Sequence, residues 1–301
     1  MSRVATIPLQ RTLASSMART QSNLAESQVQ LSTGKKADDY AGLGLNATRA
    51  LSARSMLAQQ SSYKAAATYL STTLSIYDSS LTQIDNSVTG LRTQLMTALG
   101  TNDSSGLQNS LQAAFDDMRS NLNAASGGVS LFAGSQSQTK PFVPESLDDL
   151  VSLDPADVFA NDTVRPSSRI GDGVDLQYGI LASDVATNLV SAFGTLAAAG
   201  PFGETLTDAQ MDAIRTALDQ FDTGLGDVRT ANATNGRAQN RAETMAERAD
   251  ERSTLLTEVI GSIEDADMAE VAMQISQRQT VLEASYSVFA RLSSLSLTNY
   301  I

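Results

Sequence analysis

The chain of 301 residues contains no cysteine, no histidine and no tryptophan. Without cysteine there are no disulfides, thiol nucleophiles or thiolate metal sites, and without histidine the usual general base, the usual zinc ligand and Ser-His triads are excluded. Aromatic residues make up only 5% of the chain. The core must therefore be built from Ala, Leu, Ile, Val and Met, which suits closely packed helices.

Long apolar runs are also missing. No segment reaches the roughly 18 uninterrupted apolar residues of a transmembrane helix, and the first ten residues lack the apolar stretch of a cleavable signal peptide. Taken alone, this favours a cytoplasmic protein, unless the chain leaves the cell by a route that reads no such signal.

The net charge of −12 is unevenly distributed. Residues 1–100 carry 9 basic and 5 acidic side chains, 101–230 carry 6 and 18, and 231–301 carry 6 and 10. Because nucleic-acid binding requires clustered Lys and Arg, the acidic middle predicts no nucleic-acid partner.

Helical periodicity is the strongest pattern. Apolar residues alternate spacings of 4 and 3 in an unbroken heptad seam that consists of Leu70, Leu74, Tyr77, Leu81, Ile84, Val88, Leu91 and Leu95. The seam predicts a helix over about 50–99, on the order of 70 Å long, which Gly100 and Asn102 end. Its length indicates an elongated protein.

Two further helices are predicted to pack antiparallel to this one, giving a rod-like bundle. A second seam consists of Met211, Ile214, Leu218, Phe221, Leu225 and Val228, and an Ala-rich stretch continues it to Val259. A shorter amphipathic helix begins at Leu107, includes Phe115 and is expected to end at Gly127-Gly128.

The two ends of the chain carry weaker heptad stripes with polar interruptions. We expect these stripes to pack on each other or on neighbouring subunits. The alternative is an ordinary intramolecular helix pair that makes no contact with other subunits. The candidate subunit-assembly residues are Leu13, Met17, Leu24, Leu31, Met268, Val271, Ile275, Leu282, Phe289 and Leu292.

The middle of the chain, 129–206, contains every proline except Pro8, and short apolar alternations flank Gly171-Asp172-Gly173. It predicts a small β-containing insertion followed by a short helix near 183–198. The predicted fold is therefore mainly α, an elongated helical bundle or coiled-coil hairpin. Its three expected domains are a terminal coiled coil (1–45 and 262–301), a helical rod (46–128 and 207–261) and the insertion (129–206).

Motifs for catalysis, cofactors or metals are poor. Gly42-Leu43-Gly44 lacks the third glycine of a dinucleotide loop, and Asp172–Asp175 resembles only a fragment of a calcium loop. The cluster Glu264-Asp265-Ala266-Asp267 could hold a divalent cation, but acidic residues there more often open a helix that begins near Met268. The sequence predicts no catalytic residue, no cofactor, no metal and no enzyme.

Four segments resemble motifs of the bacterial flagellin family. They occur in the family's order at both ends of the chain, outside the insertion. The first holds Lys35, Asp38 and Asp39, the second surrounds Arg92, the third is Gly236–Arg241 with Arg237, Asn240 and Arg241, and the fourth is Ile263–Glu270 with Asp265 and Asp267.

Within this family, different residues of the chain resemble subunits from two different positions in the flagellum. Phe132 and Gly134, followed by Pro141 and Phe142, are similar to subunits at the junction between hook and filament, as is the ending Leu282–Tyr300. The segment Ala37–Leu43 is instead similar to filament subunits. The resemblance favours a structural subunit at the hook-filament junction and leaves the filament subunit as the alternative.

The resemblance implies paired terminal helices, a helical rod and an outward-facing insertion. It also implies an extracellular flagellar location, reached through the flagellum's own export channel without a cleaved signal. The implied partners are further copies in a helical lattice, flagellin, a neighbouring hook-associated protein and an export chaperone at the C-terminal helix, without insertion into a membrane. We expect the terminal seams to be disordered before assembly, since only neighbours complete them.

Two functions of other classes stay open on the residues alone. The heptads and the missing signal also fit a cytoplasmic coiled-coil adaptor, and the acidic insertion could form an enzyme. Export separates the adaptor from a flagellar subunit, because an adaptor stays in the cell.

Overall fold

A computed structural model describes residues 3–297, with side chains for 8–154 and 156–291. It is 72% helical, which confirms the mainly α fold class. The helices are α1 (Arg3–Thr33), α2 (Ala47–Thr101), α3 (Leu107–Leu122), α4 (Asp149–Ser152), α5 (Ala182–Ala198), α6 (Asp208–Glu264) and α7 (Met268–Leu297). The strands are β1 (Ala125–Ser126), β2 (Val129–Ser130), β3 (Ser167–Gly171) and β4 (Val174–Gln177), and 3₁₀ turns cover Gly44–Asn46 and Pro155–Asp157.

The chain folds into two compact units. The terminal unit contains the residues up to Gln59 and those from Arg252 onward, and the central unit is Gln60–Glu251. The segment 129–206 lies in the central unit and shares one hydrophobic core with α2, α3 and α6. The division into three domains stays a prediction.

The predicted seam of α2 forms one side of the central core. Its members from Leu70 to Leu95 are all at most 2% exposed, which confirms the heptad assignment. The helix ends at Thr101, and Asn102 follows in the left-handed conformation with φ 56°. The Asn102 Oδ1 accepts a hydrogen bond from the Leu206 N–H at 3.2 Å, so the residue that ends α2 also fixes the chain before α6.

Aromatic rings join the helices of the central unit, although the chain contains few of them. Phe193 of α5 lies edge-to-face against Phe115 of α3 and Phe221 of α6, with centroids 5.9 Å and 5.1 Å apart. Tyr77 of α2 meets Phe132 in the same way at 4.9 Å. Such pairs each add on the order of 1 kcal/mol beyond the burial of their area.

Two antiparallel hairpins form the β-containing part. The hairpin β3–β4 turns at Asp172-Gly173, and α5 follows it, so the predicted turn and short helix are confirmed. The predicted end of α3 was wrong, because the helix stops at Leu122. Gly127 and Gly128 instead form the turn of β1–β2 with φ values of 59° and 81°, which suit glycine.

Candidate assembly site

Helices α1 and α7 pack against each other in the terminal unit. They run antiparallel. Gln21 Nε2 donates to the Tyr286 hydroxyl at 2.5 Å, whereas Ser27, which follows Gln21 in α1, is bound by Arg278, which precedes Tyr286 in α7. On each helix most of the partly or fully buried residues follow spacings of 4 and 3, which is the pattern of a coiled-coil seam. The pair therefore joins the two ends of the chain.

The structure places most of the predicted assembly residues on this intramolecular seam. Val271 and Leu282 are buried at 5% and 7% exposure. Partial burial is shared by Leu13, Met17, Leu24, Ile275 and Phe289. Leu31 and Met268 stay 42% and 44% exposed, and the side chain of Leu292 lies outside the described residues. The seam is thus only partly covered within one chain.

A polar layer interrupts the seam at Arg278. Its guanidinium donates to the Asn23 carbonyl and to the hydroxyl of Ser27, which is fully buried, and at 3.1 Å to the Gln274 amide oxygen. All three of these partners are neutral. A polar residue at a seam position favours one register and reduces the stability of the helix pair.

A second set of contacts joins the end of α6 to α2 and to the loop after α1. Glu264, whose side chain is 8% exposed, accepts two hydrogen bonds from Arg54, at 2.8 and 2.6 Å. Lys35 lies 2.6 Å from Asp265 and 3.5 Å from Glu264. The hydrogen bonds from Arg54 lower the pKa of Glu264, and the bond to Asp265 raises the pKa of Lys35. We call Lys35, Arg54, Glu264 and Asp265 the terminal clasp.

Main-chain hydrogen bonds hold the clasp together. The Lys36 N–H donates to the Glu264 carbonyl at 2.7 Å, and the Ala266 N–H donates to the Gly34 carbonyl at 2.9 Å. Gly34 has a φ of 71°, a conformation that other residues adopt at a cost. Two of the flagellin-like segments therefore meet in space, although Lys35 and Asp265 lie 230 residues apart in sequence.

The acidic cluster at the clasp opens a helix, as predicted. Asp267 Oδ1 accepts hydrogen bonds from the N–H groups of Ala269 and Glu270 at 2.9 and 3.2 Å, which caps the start of α7 at Met268. The neighbouring carboxylates of Glu264 and Asp265 are paired with cations of the clasp. Within residues 3–297 no group of acidic side chains is placed to hold a metal ion.

Three of the predicted family residues of the central unit, Arg92, Phe132 and Gly134, have structural roles there. Arg92 forms two hydrogen bonds with Asp222, at 2.6 and 3.0 Å, which tie α2 to α6 and raise the pKa of Arg92. Phe132 is fully buried. Gly134 has a φ of 70°, and a Cβ there would lie 2.2 Å from the Asp162 carboxylate, so only glycine fits.

Pro141 and Phe142 are also buried. The Phe142 N–H donates to Asn123 Oδ1 at 3.0 Å, and Asn123 Nδ2 returns a bond to the Phe142 carbonyl at 2.9 Å. The Ala160 N–H donates to the Pro141 carbonyl at 2.9 Å. These contacts give the segment a structural role in the core.

The remaining family residues lie on the surface. Arg237, Asn240 and Arg241 are exposed on α6, and Asp38 and Asp39 are exposed in the loop after α1. The Asp39 carboxylate accepts a hydrogen bond from the Gly42 N–H at 2.8 Å, which closes a turn of that loop.

The central unit contains a cavity of about 360 Å³ beside the β3–β4 hairpin. The two carboxylates that line it already have partners, because Asp184 lies 2.6 Å from Arg165 and Asp227 accepts a bond from Asn188 at 2.7 Å. Both carboxylates of this cavity are therefore bound by groups of the protein itself.

Sequence reasoning missed two features of the terminal unit. Arg54 belongs to no motif, and its partner lies 210 residues away, so no local pattern indicates the pair. Met273, Val281 and Val288 are apolar but exposed, and their spacing of 8 and 7 along α7 could have pointed to a second face beside the seam. Among the described helices none is long and apolar enough to cross a membrane.

The chain is similar to known proteins along most of its length. Residues 4–137 match the family model of the bacterial flagellin N-terminal helical region, and residues 218–301 match that of the C-terminal helical region. The flagellar hook-associated protein 3 of Escherichia coli (strain K12) is 24% identical over 286 residues, which covers 89% of this chain and 90% of that protein.

Three solved structures share the fold. A flagellar hook-associated protein from Vibrio parahaemolyticus is 17% identical and superposes with a TM-score of 0.58, over 75% of this chain and 99% of that one. FlgL of Bacillus cereus is 13% identical with a TM-score of 0.58, over 70% and 99% of the two chains. FlgL of Xanthomonas campestris is 12% identical with a TM-score of 0.56, over 71% and 99%.

Proposed function

We propose that this chain, which belongs to the bacterial flagellin family, is a structural subunit of the bacterial flagellum that assembles at the hook-filament junction. The match to a hook-associated protein along nine tenths of both chains supports the junction over the filament itself. The Phe132–Phe142 segment, which resembles junction subunits, supports the same choice. The proposed role is structural and not catalytic.

The main observation behind this proposal is the terminal unit, because much of its apolar surface is exposed in a single copy. Its described apolar residues that are buried are few, namely Ala50, Ala53, Ile260, Ile263, Val271 and Leu282. Its exposed large apolar residues are more numerous, namely Leu9, Val29, Leu31, Tyr40, Leu45, Leu51, Met56, Leu255, Met268, Met273, Val281, Tyr286 and Val288. Exposed apolar surface on this scale is typical of a protein that contacts neighbours.

The proposal includes further copies of the chain, flagellin and another hook-associated protein as neighbours. It also includes export through the flagellar channel without a cleaved signal and a chaperone on α7 before assembly. A chain without cysteine suits such a route, since no thiol can be oxidised during passage to the outside. The chaperone would shield the exposed apolar side chains of α7 from solvent until neighbouring copies bury them.

Deletion of the gene, followed by electron microscopy of cells and culture fluid, tests the proposal. A junction subunit predicts bare hooks together with intact flagellin shed into the medium. Bare hooks without secreted flagellin would identify the chain as the filament subunit. Unchanged filaments, with the protein retained inside the cell, would contradict both flagellar roles and favour the coiled-coil adaptor.

A further inference from the structure

The cavity beside the β3–β4 hairpin takes no part in the proposed function. Its volume of about 360 Å³ falls within the range of about 300 to 1,000 Å³ that is usual for small-molecule sites. All the residues that line it belong to the central unit and come from α2, α5, α6 and the chain between Arg165 and Ile180.

One face of α6 forms a wall of this cavity. Asp227, Ala231, Asn235 and Ala238 line it at spacings of 4, 4 and 3, which places them on the same side of the helix. From Asp227 to Ala238 the wall extends over about 16 Å at 1.5 Å per residue. Polar side chains and alanine methyl groups therefore alternate along it.

The segment that follows β4 forms another wall, and the protein fixes its main chain. The Tyr178 N–H donates to the Pro166 carbonyl at 2.9 Å. Gly179 has a φ of 90°, and a Cβ there would lie 2.8 Å from Pro166 Cδ, so the position suits only glycine. The wall that carries Tyr178 is thus formed in advance, which lowers the cost of ordering it on binding.

The charged groups of the lining keep hydrogen-bonding capacity that the described residues do not use. Arg165 donates through Nη2 alone, to Asp184 at 2.6 Å. Asp227 accepts through Oδ2 alone, from the neutral amide of Asn188 at 2.7 Å. The lining therefore offers N–H donors and carboxylate acceptors to the same ligand.

Asn235 adds an acceptor in the deep part of the lining, where it is 3% exposed. Its Nδ2 donates to the Leu74 carbonyl at 2.7 Å, whereas no described residue donates to its buried Oδ1. A buried oxygen without a partner costs free energy, and a small donor such as a hydroxyl group would remove that cost.

The charge of the lining disfavours an anion. One guanidinium, of Arg165, stands against the two carboxylates of Asp184 and Asp227, so the net charge is −1 at neutral pH. A ligand with hydroxyl groups both donates and accepts without adding charge. The carbon face of a sugar ring also suits alanine methyl groups and a tyrosine ring, which combines an apolar body with a polar hydroxyl.

We propose that this cavity binds a neutral sugar of one or two pyranose rings, as a function additional to assembly. Its hydroxyl groups bond to Arg165, Asp227 and Asn235, and its carbon face packs on Tyr178 and Ala231. Asp227 and Asn235 lie about 12 Å apart along α6, so the ligand presents hydroxyl groups at both of its ends. A free sugar and the end of a glycan share this chemistry.

Titration of the full chain with sugars, followed by saturation-transfer NMR of the ligand, tests the proposal. The probes are maltose and the methyl pyranosides of glucose, galactose and mannose. At least one should bind with a Kd on the order of 1 mM, as expected for a ligand with about a dozen non-hydrogen atoms or more. No saturable binding by any of them at about ten times that concentration would overturn the proposal.

Two further probes identify the ligand more closely. Methyl glucuronide adds a carboxylate and should bind more weakly than methyl glucoside, and tighter binding of the glucuronide would overturn the assignment to neutral sugars. Free glucose is compared with its methyl glycoside, whose anomeric oxygen is substituted as in a glycan. Tighter binding of free glucose is the result for a free sugar, and equal or tighter binding of the glycoside is the result for the end of a glycan.

Variants locate the binding in the cavity. Arg165→Gln should weaken it about tenfold, since a charged hydrogen-bond donor is lost. Arg169→Gln is the matched control, because Arg169 forms a similarly exposed pair with Asp175 but does not line the cavity, and it should bind as the native chain does.

A second variant does not depend on charge. Ala231→Leu should abolish binding by filling the cavity, whereas Ala233→Leu, at an exposed position of α6 outside the lining, should retain it. Circular dichroism checks that each variant is folded. Unchanged affinity in both Arg165→Gln and Ala231→Leu would show that the sugar binds elsewhere and would overturn the inference.

Discussion

Arg54 and Glu264 hold each other through two hydrogen bonds, Nε to Oε1 at 2.8 Å and Nη2 to Oε2 at 2.6 Å. Glu264 is the enclosed partner, with 8% of its side chain exposed against 47% for Arg54. Paired bonds of this kind fix orientation as well as distance. The pair thereby positions the start of α2 against the end of α6, beside the point where α7 begins.

Replacement of Glu264 by Gln should destabilise the terminal clasp by about 2 kcal/mol, because the amide cannot accept two charge-assisted bonds and Lys35 loses a nearby carboxylate. The measurement is hydrogen exchange of the Lys36 and Ala266 amides, whose bonds cross the clasp. Asp250→Asn is the control. Asp250 pairs with Lys64 at 2.6 Å, but its side chain is 60% exposed, and such pairs contribute between about 0 and 1 kcal/mol. Equal exchange in both variants would contradict the role of Glu264.

Acid should open the clasp. The pKa of Glu264 in the folded chain lies below its ordinary value of 4.5, so the carboxylate stabilises the fold above that pH. The contribution is lost as the pH falls from 4.5 through the lower folded pKa, because protonation then removes the charge that Arg54 binds. Protection of the Ala266 amide should therefore decrease over this range in the native chain. The decrease should be absent in Glu264→Gln, and a similar decrease there would assign the effect to other groups.

Gly34→Ala should cost about 1 kcal/mol in the terminal unit, since φ is 71° and an alanine side chain disfavours that conformation even though no atom lies within 4 Å. Gly226→Ala is the matched control, because Gly226 lies within α6, also with open space around it. There alanine should stabilise by about 0.5 to 1 kcal/mol. Denaturant unfolding followed in both units measures the two changes, and a stabilising Gly34→Ala would refute the conformational argument.

Ile275→Asp should abolish stable assembly, because a charge on the partly buried seam disfavours the pairing of α1 with α7. The central unit should stay folded, as circular dichroism of the soluble protein can show. Ser276→Asp introduces the same side chain at the adjacent exposed position and should leave assembly intact. Retained filaments in the Ile275→Asp strain would show that the seam is not required.

The helical seams could be read from the sequence because their apolar spacing is local. The apolar seam residues between Leu70 and Leu95 lie on one face of α2 whatever covers that face, and all of these seam residues are buried. The start of α7 at Met268 was equally local, since Asp267 caps the helix from two and three residues away. The predicted end of α3 was wrong because the local sequence does not decide it. Gly127-Gly128 fits a helix stop as well as a hairpin turn, and the pairing of β1 with β2 decides for the hairpin.

The sequence by itself determined the helical class, the faces that must be covered and the chemistry that is excluded by missing cysteine and histidine. The tertiary structure alone decided which distant segments meet, as Arg54 and Glu264 do, and which apolar residues stay exposed, as Met273 and Val281 do. The physical reason is that hydrophobic burial has no direction. A stripe of apolar residues specifies that a face will be covered, and only the packing of the whole chain specifies by what.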